Sequence, residues 1–174
     1  MFSNENSPSK DTIKLQFNSI IFSDRVLFFY FNCFCKALYY AASWCPDCVA
    51  SKPYVSEIFK TQADGEKLFD LVYISSDNDS DQMKGEMEEG WDCIEFEKQD
   101  DRSDLKKFFG VCAHKEMKAL GITSEQRKGG IPTLVLINKA NSGVLSSDAI
   151  PDIMGDRKVD DPLAHWRSLL SKDL

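Results

Sequence analysis

The chain has 174 residues, of which 43% are hydrophobic and 28% charged, with a formal net charge of −7 and a pI near 4.9. This length fits one domain with a buried core that needs no disulfide staples. An acidic surface repels phosphate backbones and anionic lipid headgroups, so we expect neither nucleic acid nor a membrane as a partner.

The N-terminal residues 1–12 are polar and lack the basic start and apolar run of a secretory signal. We therefore expect a disordered tail over residues 1–12, a single domain over 13–174, and a cytoplasmic protein. Residues 26–44 have the length of a membrane span, with Lys36 as the only charge. Their polar residues and aromatic content favour two buried strands over a transmembrane helix.

The first half of the chain predicts strands followed by a helix. Runs rich in Ile, Phe, Val, Tyr and Ala predict strands over residues 12–22, 26–35 and 37–42. From residue 46 to about residue 61, apolar residues recur at three- and four-residue steps, which predicts a helix. Residues 68–75 predict a buried strand of the kind found in parallel sheets.

The second half predicts shorter elements. Helices are expected over residues 81–90, 103–109 and 115–120 and after the Asp161-Pro162 pair, and strands over 93–96, 132–138 and 144–147. The glycine- and charge-rich connector of residues 110–130 is either an unstructured surface loop or a lid or partner surface. This order of elements predicts an α/β fold, a three-layer sandwich with a central mixed β-sheet flanked by helices.

The most informative motif is Ser43-Trp44-Cys45-Pro46-Asp47-Cys48, at a predicted strand-to-helix junction. Two cysteines three residues apart at the start of a helix lie within disulfide reach. Free N–H groups and the helix dipole stabilise a thiolate on the first sulfur. A water-exposed Cys45 would attack a substrate disulfide, and Cys48 would resolve the mixed disulfide. The Cys45–Cys48 pair is then the redox group, and no other cofactor is expected.

Two other interpretations of the pair are inert core cysteines and a zinc half-site. A structural zinc site needs four ligands, usually as two pairs. Cys33 and Cys35, the other close pair, are separated by a single residue on a predicted strand, a shorter gap than the two to four residues usual between paired zinc ligands. His114 and His165 lie far from the pair in the sequence. We therefore expect no metal.

A second motif, Gly130-Ile131-Pro132-Thr133, enters a predicted strand. Proline at the first residue of a strand is allowed on geometric grounds alone. Together with Trp-Cys-x-x-Cys, however, it resembles the thioredoxin superfamily, where an Ile-Pro with a cis peptide bond lies beside the cysteine pair. The resemblance implies that Ile131-Pro132 is cis, that Ile131 offers backbone hydrogen bonds to a substrate and that Pro132 shapes the receiving groove. The other substrate-binding candidates border the nucleophile: Trp44, Pro46 and Asp47.

A finer resemblance, to the tryparedoxin and nucleoredoxin branch, rests on residues 38–48, 71–77 and 130–134 and covers roughly residues 37 to 150. It implies a thiol–disulfide oxidoreductase that reduces protein or small-thiol disulfides by dithiol exchange. Electrons would come from an upstream reductase or a low-molecular-weight dithiol. Tryparedoxin-like clients would be peroxidases, and nucleoredoxin-like clients would be signalling or antioxidant proteins.

The sequence departs from this branch at three positions. Asp47 stands where the branch usually has a second proline, and Cys-Pro-Asp-Cys-Val instead resembles the small cytosolic thioredoxin-related proteins. Ser76-Asp77-Asn78 replace a Trp-Asp-Glu, and Asp77 is either a proton acceptor for Cys48 or a helix cap. The third departure is the connector of residues 110–130, which is longer than the connector expected before Ile-Pro. In addition, Tyr39 stands where ordinary thioredoxins place a buried aspartate.

Two other functions are compatible with the fold. A non-catalytic protein-binding module could use the cysteine pair as a redox switch, and a cysteine peroxidase could use Cys45 alone. Peroxidase chemistry usually needs an arginine near a cysteine of high thiolate character, and none flanks Cys45. The reductase is the favoured prediction.

Overall fold

The computed structural model describes residues 33–62 and 67–172. The predicted tail at residues 1–12, the strand at 12–22 and all but the last three residues of the strand at 26–35 lie outside these ranges. The division into a tail and a domain over 13–174 therefore stays a prediction.

The described residues form a mixed five-stranded sheet in the order β3-β2-β1-β4-β5. Its strands are β1 (Cys35–Ala41), β2 (Phe69–Ser75), β3 (Asp92–Cys93), β4 (Thr133–Asn138) and β5 (Val144–Ser146). The β1–β2 and β2–β3 pairs are parallel, and the β1–β4 and β4–β5 pairs are antiparallel. The predicted mixed sheet is confirmed.

Helices connect and cover these strands. They are α1 (Pro46–Thr61), α2 (Ser80–Glu86), α3 (Gln99–Phe109), α4 (Met117–Leu120), α5 (Ile150–Ile153) and α6 (Pro162–Lys172). None of the helices within the described ranges is both long and apolar enough to cross a bilayer.

The three layers follow from the alternation of side chains along β1, all seven residues of which are buried. On one face, the Tyr39 hydroxyl lies 2.9 Å from Ser51 Oγ of α1. On the other face, the Tyr40 ring packs against Phe109 of α3, with the ring centroids 6.3 Å apart. Helices therefore cover both faces of the sheet, and the predicted three-layer sandwich is confirmed.

Helix α1 has the predicted bounds. The helix predicted over residues 115–120 is a 3-10 helix at His114–Glu116 followed by α4. Two other helices differ from their predicted bounds by several residues. Helix α3 begins at Gln99, earlier than the predicted residue 103, because its first turn carries acidic residues that the positive helix end stabilises. Helix α2 ends at Glu86 rather than at residue 90, since Met87 takes an extended conformation. Gly90 adopts a φ of +84° beyond the helix and turns the chain against Phe59.

Two elements are too short for their hydrophobic pattern to predict them correctly. Helix α5 was not predicted, because four residues beginning with Ile150-Pro151 are too few for a helical repeat to show. The strand expected over residues 93–96 is reduced to Asp92–Cys93, which pairs with Val72 and Tyr73 of β2.

A buried ion pair joins the N-terminal halves of the two central strands. Lys36 is 1% exposed, and its Nζ donates to Asp70 Oδ2 at 2.9 Å across the β1–β2 register. The Cys33 thiol donates to the same oxygen at 2.8 Å, and Lys67 Nζ lies 2.8 Å from Oδ1. Asp70 thus offsets the charge of a lysine that the fold removes from water.

We expect Asp70→Asn to destabilise the fold by about 3 kcal/mol, because it leaves the Lys36 ammonium buried without its counter-charge. Burial pushes the pKa of Asp70 up, but hydrogen bonds from Cys33 and Lys67 and the charge of Lys36 hold it below the usual 3.8. Because the folded pKa is the lower one, this stabilisation is present at neutral pH and is lost as the pH falls through that pKa.

Urea unfolding at pH 7 and at pH 3 measures the loss of stability in Asp70→Asn and its dependence on pH. Asp81→Asn removes an exposed carboxylate from α2 and should change the free energy of unfolding by less than about 0.5 kcal/mol. If both variants lost the same free energy of unfolding at pH 7, the buried ion pair would stabilise the fold no more than an exposed carboxylate does.

Candidate active site

The cysteine motif lies where β1 ends and α1 begins, at the C-terminal edge of the central strand. Pro46 is the first residue of α1 and Cys45 is its N-cap, with φ −91° and ψ 116°. Proline suits this position because its ring presets φ, and the N–H that it lacks would have no partner inside the helix. The helix begins at the predicted residue.

The Cys45 sulfur is held between an amide donor and a carbonyl acceptor. The backbone N–H of Cys48 donates to Cys45 Sγ at 3.2 Å, and the Cys45 thiol donates to the Ile131 carbonyl oxygen at 3.7 Å. An N–H group directed at the sulfur from the first turn of a helix favours negative charge there. This sulfur is therefore the one that the helix prepares for nucleophilic attack.

Cys45 is more enclosed than the sequence argument expected, with 6% of its surface exposed against 3% for Cys48. The difference arises because the Ile131 loop covers the sulfur, a contact between residues 86 positions apart that local pattern does not reveal. Its neighbours Trp44, Pro46 and Asp47 are all exposed. Cys45 thus lies directly beneath the surface.

Cys48 lies deeper and is held protonated. Burial, the hydrogen bond with Cys45 and the charge of Asp47 raise the pKa of the Cys48 thiol well above its usual range. Below it, the Tyr39 hydroxyl donates to the Cys48 carbonyl oxygen at 3.5 Å and lies 2.9 Å from Ser51 Oγ. Tyr39 therefore anchors the first turn of α1, where ordinary thioredoxins place a carboxylate.

The Ile131-Pro132 peptide bond is cis, which confirms that prediction. Pro132 and Asp47 line one groove of about 500 Å³ that runs along α5 towards Arg157. Of the residues predicted to bind substrate, this groove holds Asp47 and Pro132, while Ile131 contacts the Cys45 sulfur and Trp44 and Pro46 are the chain neighbours of Cys45.

Asp77 connects the end of β2 to the loop that precedes the cysteines. Its carboxylate accepts hydrogen bonds from the Ser43 N–H at 2.7 Å and from the Ser43, Tyr73 and Ser75 hydroxyls, each at 2.8 Å. The helix-cap interpretation is wrong, because Asp79, two residues further on, caps α2 through its bond from the Gln82 N–H. The role of proton acceptor for Cys48 stays a prediction.

A set of polar residues that sequence reasoning missed positions Trp44. The indole N–H of Trp44 donates to the Ser76 carbonyl oxygen at 2.9 Å. The Ser76 hydroxyl donates to Glu116 at 2.8 Å, and the buried Lys106 ammonium lies 2.6 Å from the other Glu116 oxygen. The only signal for this network in the sequence was the unusual length of the connector.

The connector, residues 110–130, is ordered rather than an unstructured loop. Its two ends pair through a bridge between Val111 and Gly129, and the Lys128 N–H donates to the Gly110 carbonyl oxygen at 2.8 Å. Gly110 has a φ of +66°, and a Cβ there would lie 2.4 Å from the Gln126 carbonyl oxygen, so this turn requires glycine. The structure supports the alternative of a surface beside the active site, since Lys115 lies 3.6 Å from the centre of the Trp44 ring.

All six cysteines are free thiols. Within residues 33–62 and 67–172, no group of three or more His, Cys, Asp and Glu side chains is arranged to hold a metal ion.

A family model described as thioredoxin-like matches residues 35–143. The chain belongs to the thioredoxin-like family. A tryparedoxin of Trypanosoma brucei brucei is 30% identical over 122 residues, which cover 68% of this chain and 71% of that one. A probable nucleoredoxin 1 of Arabidopsis thaliana is 27% identical over 132 residues, which cover 74% of this chain. The chain spans 22% of the length of that plant protein.

Solved structures share the fold. A structure of tryparedoxin II from C. fasciculata has a TM-score of 0.55 at 23% identity, over 74% of this chain and 73% of that one. This likeness shows the fold, and the curated relatives place the thioredoxin-like chain in the tryparedoxin- and nucleoredoxin-like branch. Membership of this branch implies a thiol–disulfide oxidoreductase.

We expect Asp77 to act by positioning the loop at Ser43 rather than by accepting a proton. Asp77→Asn keeps an acceptor for the Ser43 N–H and should retain insulin-disulfide reduction within about threefold, whereas Asp77→Ala should lose about tenfold or more. A proton acceptor would predict equal losses in both variants, with a changed pH profile of the rate.

Proposed function

We propose that this thioredoxin-like chain is a protein-disulfide reductase in which Cys45 is the nucleophile and Cys48 the resolving thiol. The observation that carries the proposal is the contact from the Cys48 N–H to Cys45 Sγ at the first turn of α1. It distinguishes the two sulfurs, since the helix end favours a thiolate on Cys45 while burial raises the pKa of Cys48.

The proposed reaction is a two-step exchange. The Cys45 thiolate attacks one sulfur of the client disulfide, so the client S–S bond breaks and a Cys45–client disulfide forms. Cys48 then attacks Cys45 Sγ, which forms the Cys45–Cys48 disulfide and releases the second client sulfur. Two electrons pass from the pair to the client, and the two protons of the pair end on the client thiols.

The neighbouring residues fit the demands of this exchange. The Ile131 carbonyl oxygen, 3.7 Å from Cys45 Sγ, marks where an extended client strand would pass, and the exposed Trp44 next to Cys45 offers contact area. Pro132, Pro46 and Asp47 would border the bound strand. The attack needs only the Cys45–Cys48 disulfide as redox group, without a further cofactor.

The electron donor is proposed to be an upstream reductase or a low-molecular-weight dithiol, and the clients to be disulfide-containing proteins, with peroxidases among them. One solved structure is of tryparedoxin II complexed with glutathionylspermidine, which supports a donor of low molecular weight. We propose the cytoplasm as the compartment, because its reducing conditions maintain free thiols such as those of this chain.

Trapping tests the two cysteine roles directly. Cys48→Ser should accumulate a stable mixed disulfide with clients on Cys45, because the resolving thiol is gone, and Cys45→Ser should form none. Mass spectrometry of the captured species locates the bond, and Cys93→Ser serves as a control that should keep full turnover.

Insulin-disulfide reduction supplies the second readout for the proposed reductase. Catalytic turnover in the unaltered protein supports a reductase, whereas a single stoichiometric exchange would indicate a redox-switched binding module. A mixed disulfide on Cys93 or Cys112 instead of Cys45 would refute the assignment.

A further inference from the structure

The connector, residues 110–130, concentrates positive charge beside the reactive cysteine. It holds four of the 21 Lys and Arg residues of the chain and only two of the 28 Asp and Glu residues, in a chain of net charge −7. One of its two carboxylates, Glu116, is already engaged by Lys106 and Ser76. The charge that the connector offers to a partner is therefore positive.

Lys115 places one of these charges on the rim of the active site. Its ammonium lies 3.6 Å from the centre of the Trp44 ring, well within the range of a cation–π contact. It also donates to Asn78 Oδ1 at 2.8 Å, and an ammonium has three donors in all. The side chain is exposed, so an incoming carboxylate can reach it.

Arg127 places a second charge beside the Gly130-Ile131 loop. Its Nε donates to the Cys112 carbonyl oxygen at 3.1 Å. Its guanidinium packs against Gly130, where an added Cβ would lie 2.8 Å from Nη2. Gly130 precedes Ile131, whose carbonyl oxygen meets the Cys45 sulfur. Lys115 therefore contacts the tryptophan that precedes Cys45, and Arg127 contacts the glycine that precedes Ile131.

We infer that the connector is a recognition surface for protein clients whose disulfide is flanked by acidic residues. This inference rests on the proposed reductase function and adds the chemistry of its clients. A client strand that crosses Ile131 brings the residues on either side of its cysteine to Lys115 and Arg127. Arg127 can bind a carboxylate through two parallel hydrogen bonds, and Lys115 acts as a point charge.

The position of these cations matters because the chain as a whole repels acidic partners. Charges further from the contact than a Debye length, about 8 Å at physiological ionic strength, are largely screened. The two cations therefore act on a docking client at short range, alongside the exposed carboxylate of Asp47, and they raise the rate of productive encounter with an acidic client.

The test uses three peptides of equal length with one intramolecular disulfide, whose cysteines are flanked by Glu, Gln or Lys. The full chain reduces each with dithiothreitol as donor, and kcat/KM is measured. The acidic peptide should exceed the neutral one by about threefold to fivefold at low salt. This ratio should fall towards one in 0.5 M NaCl, a dependence that a purely structural role would not produce.

Variants assign the preference to the two side chains. Lys115→Gln and Arg127→Gln should each lower the acidic-to-neutral ratio, and Lys115→Arg should retain it. Lys118→Gln removes one charge from an exposed position on the next helical turn and should leave the ratio unchanged. Each ratio compares two peptides with the same variant. A substitution that changes the rate for all peptides, for example by moving Trp44, therefore leaves the ratio unchanged.

The outcomes separate the inference from the function on which it rests. If none of the three peptides is reduced, the proposed reductase function fails, and the inference with it. If all three are reduced without an acidic preference, only the inference fails. A preference that survives in the double variant Lys115→Gln/Arg127→Gln, or that Lys118→Gln lowers equally, also overturns it.

Discussion

The active site depends on one interaction, the hydrogen bond from the Cys48 N–H to Cys45 Sγ at the first turn of α1. This hydrogen bond is local, but it forms only because strand β1 ends and helix α1 begins with four residues between them. The complete burial of β1 fixes that point, because a strand covered on both faces cannot slip without exposing apolar side chains. Pro46 then presets the first helical residue.

Buried polar groups around this turn hold Cys45 directly beneath the surface, where a client disulfide can meet it, and Cys48 deeper in the protein. Asp77 holds the Ser43 backbone at one end of the loop, and Tyr39 holds the Cys48 carbonyl at the other. Burial lowers the pKa of Lys106, but the charge of Glu116 acts against that shift. Since each group has a partner, the cost of burying it is offset and the loop is held in one geometry.

Local patterns were sufficient for the architecture. Hydrophobic runs located β1, β2 and β4, and the recurrence of apolar residues after Pro46 gave α1 its bounds. The prediction of a cis Ile131-Pro132 bond, which the structure confirms, rested on the family resemblance and not on composition. Short elements such as α5 escaped, because four residues carry too little periodicity to detect.

The contacts between distant residues could not be predicted from one sequence. Asp77 bonds to a serine 34 positions earlier, and Lys115 covers a tryptophan of the loop that follows β1. The local sequence does not indicate these partners, because the fold of the sheet and its connections brings them together. The sequence allowed Asp77 to be a helix cap or a base, whereas its observed hydrogen bonds support the loop at Ser43.

The central claim is that the helix end makes the Cys45 sulfur the reactive one, despite its low exposure. Limiting iodoacetamide added to the native, reduced protein, followed by peptide mass spectrometry, measures the order in which the thiols react. Exposure alone would favour Cys93, which is half-buried and whose pKa burial raises. The account predicts that Cys45 is alkylated first, and alkylation of Cys93 ahead of Cys45 would contradict it.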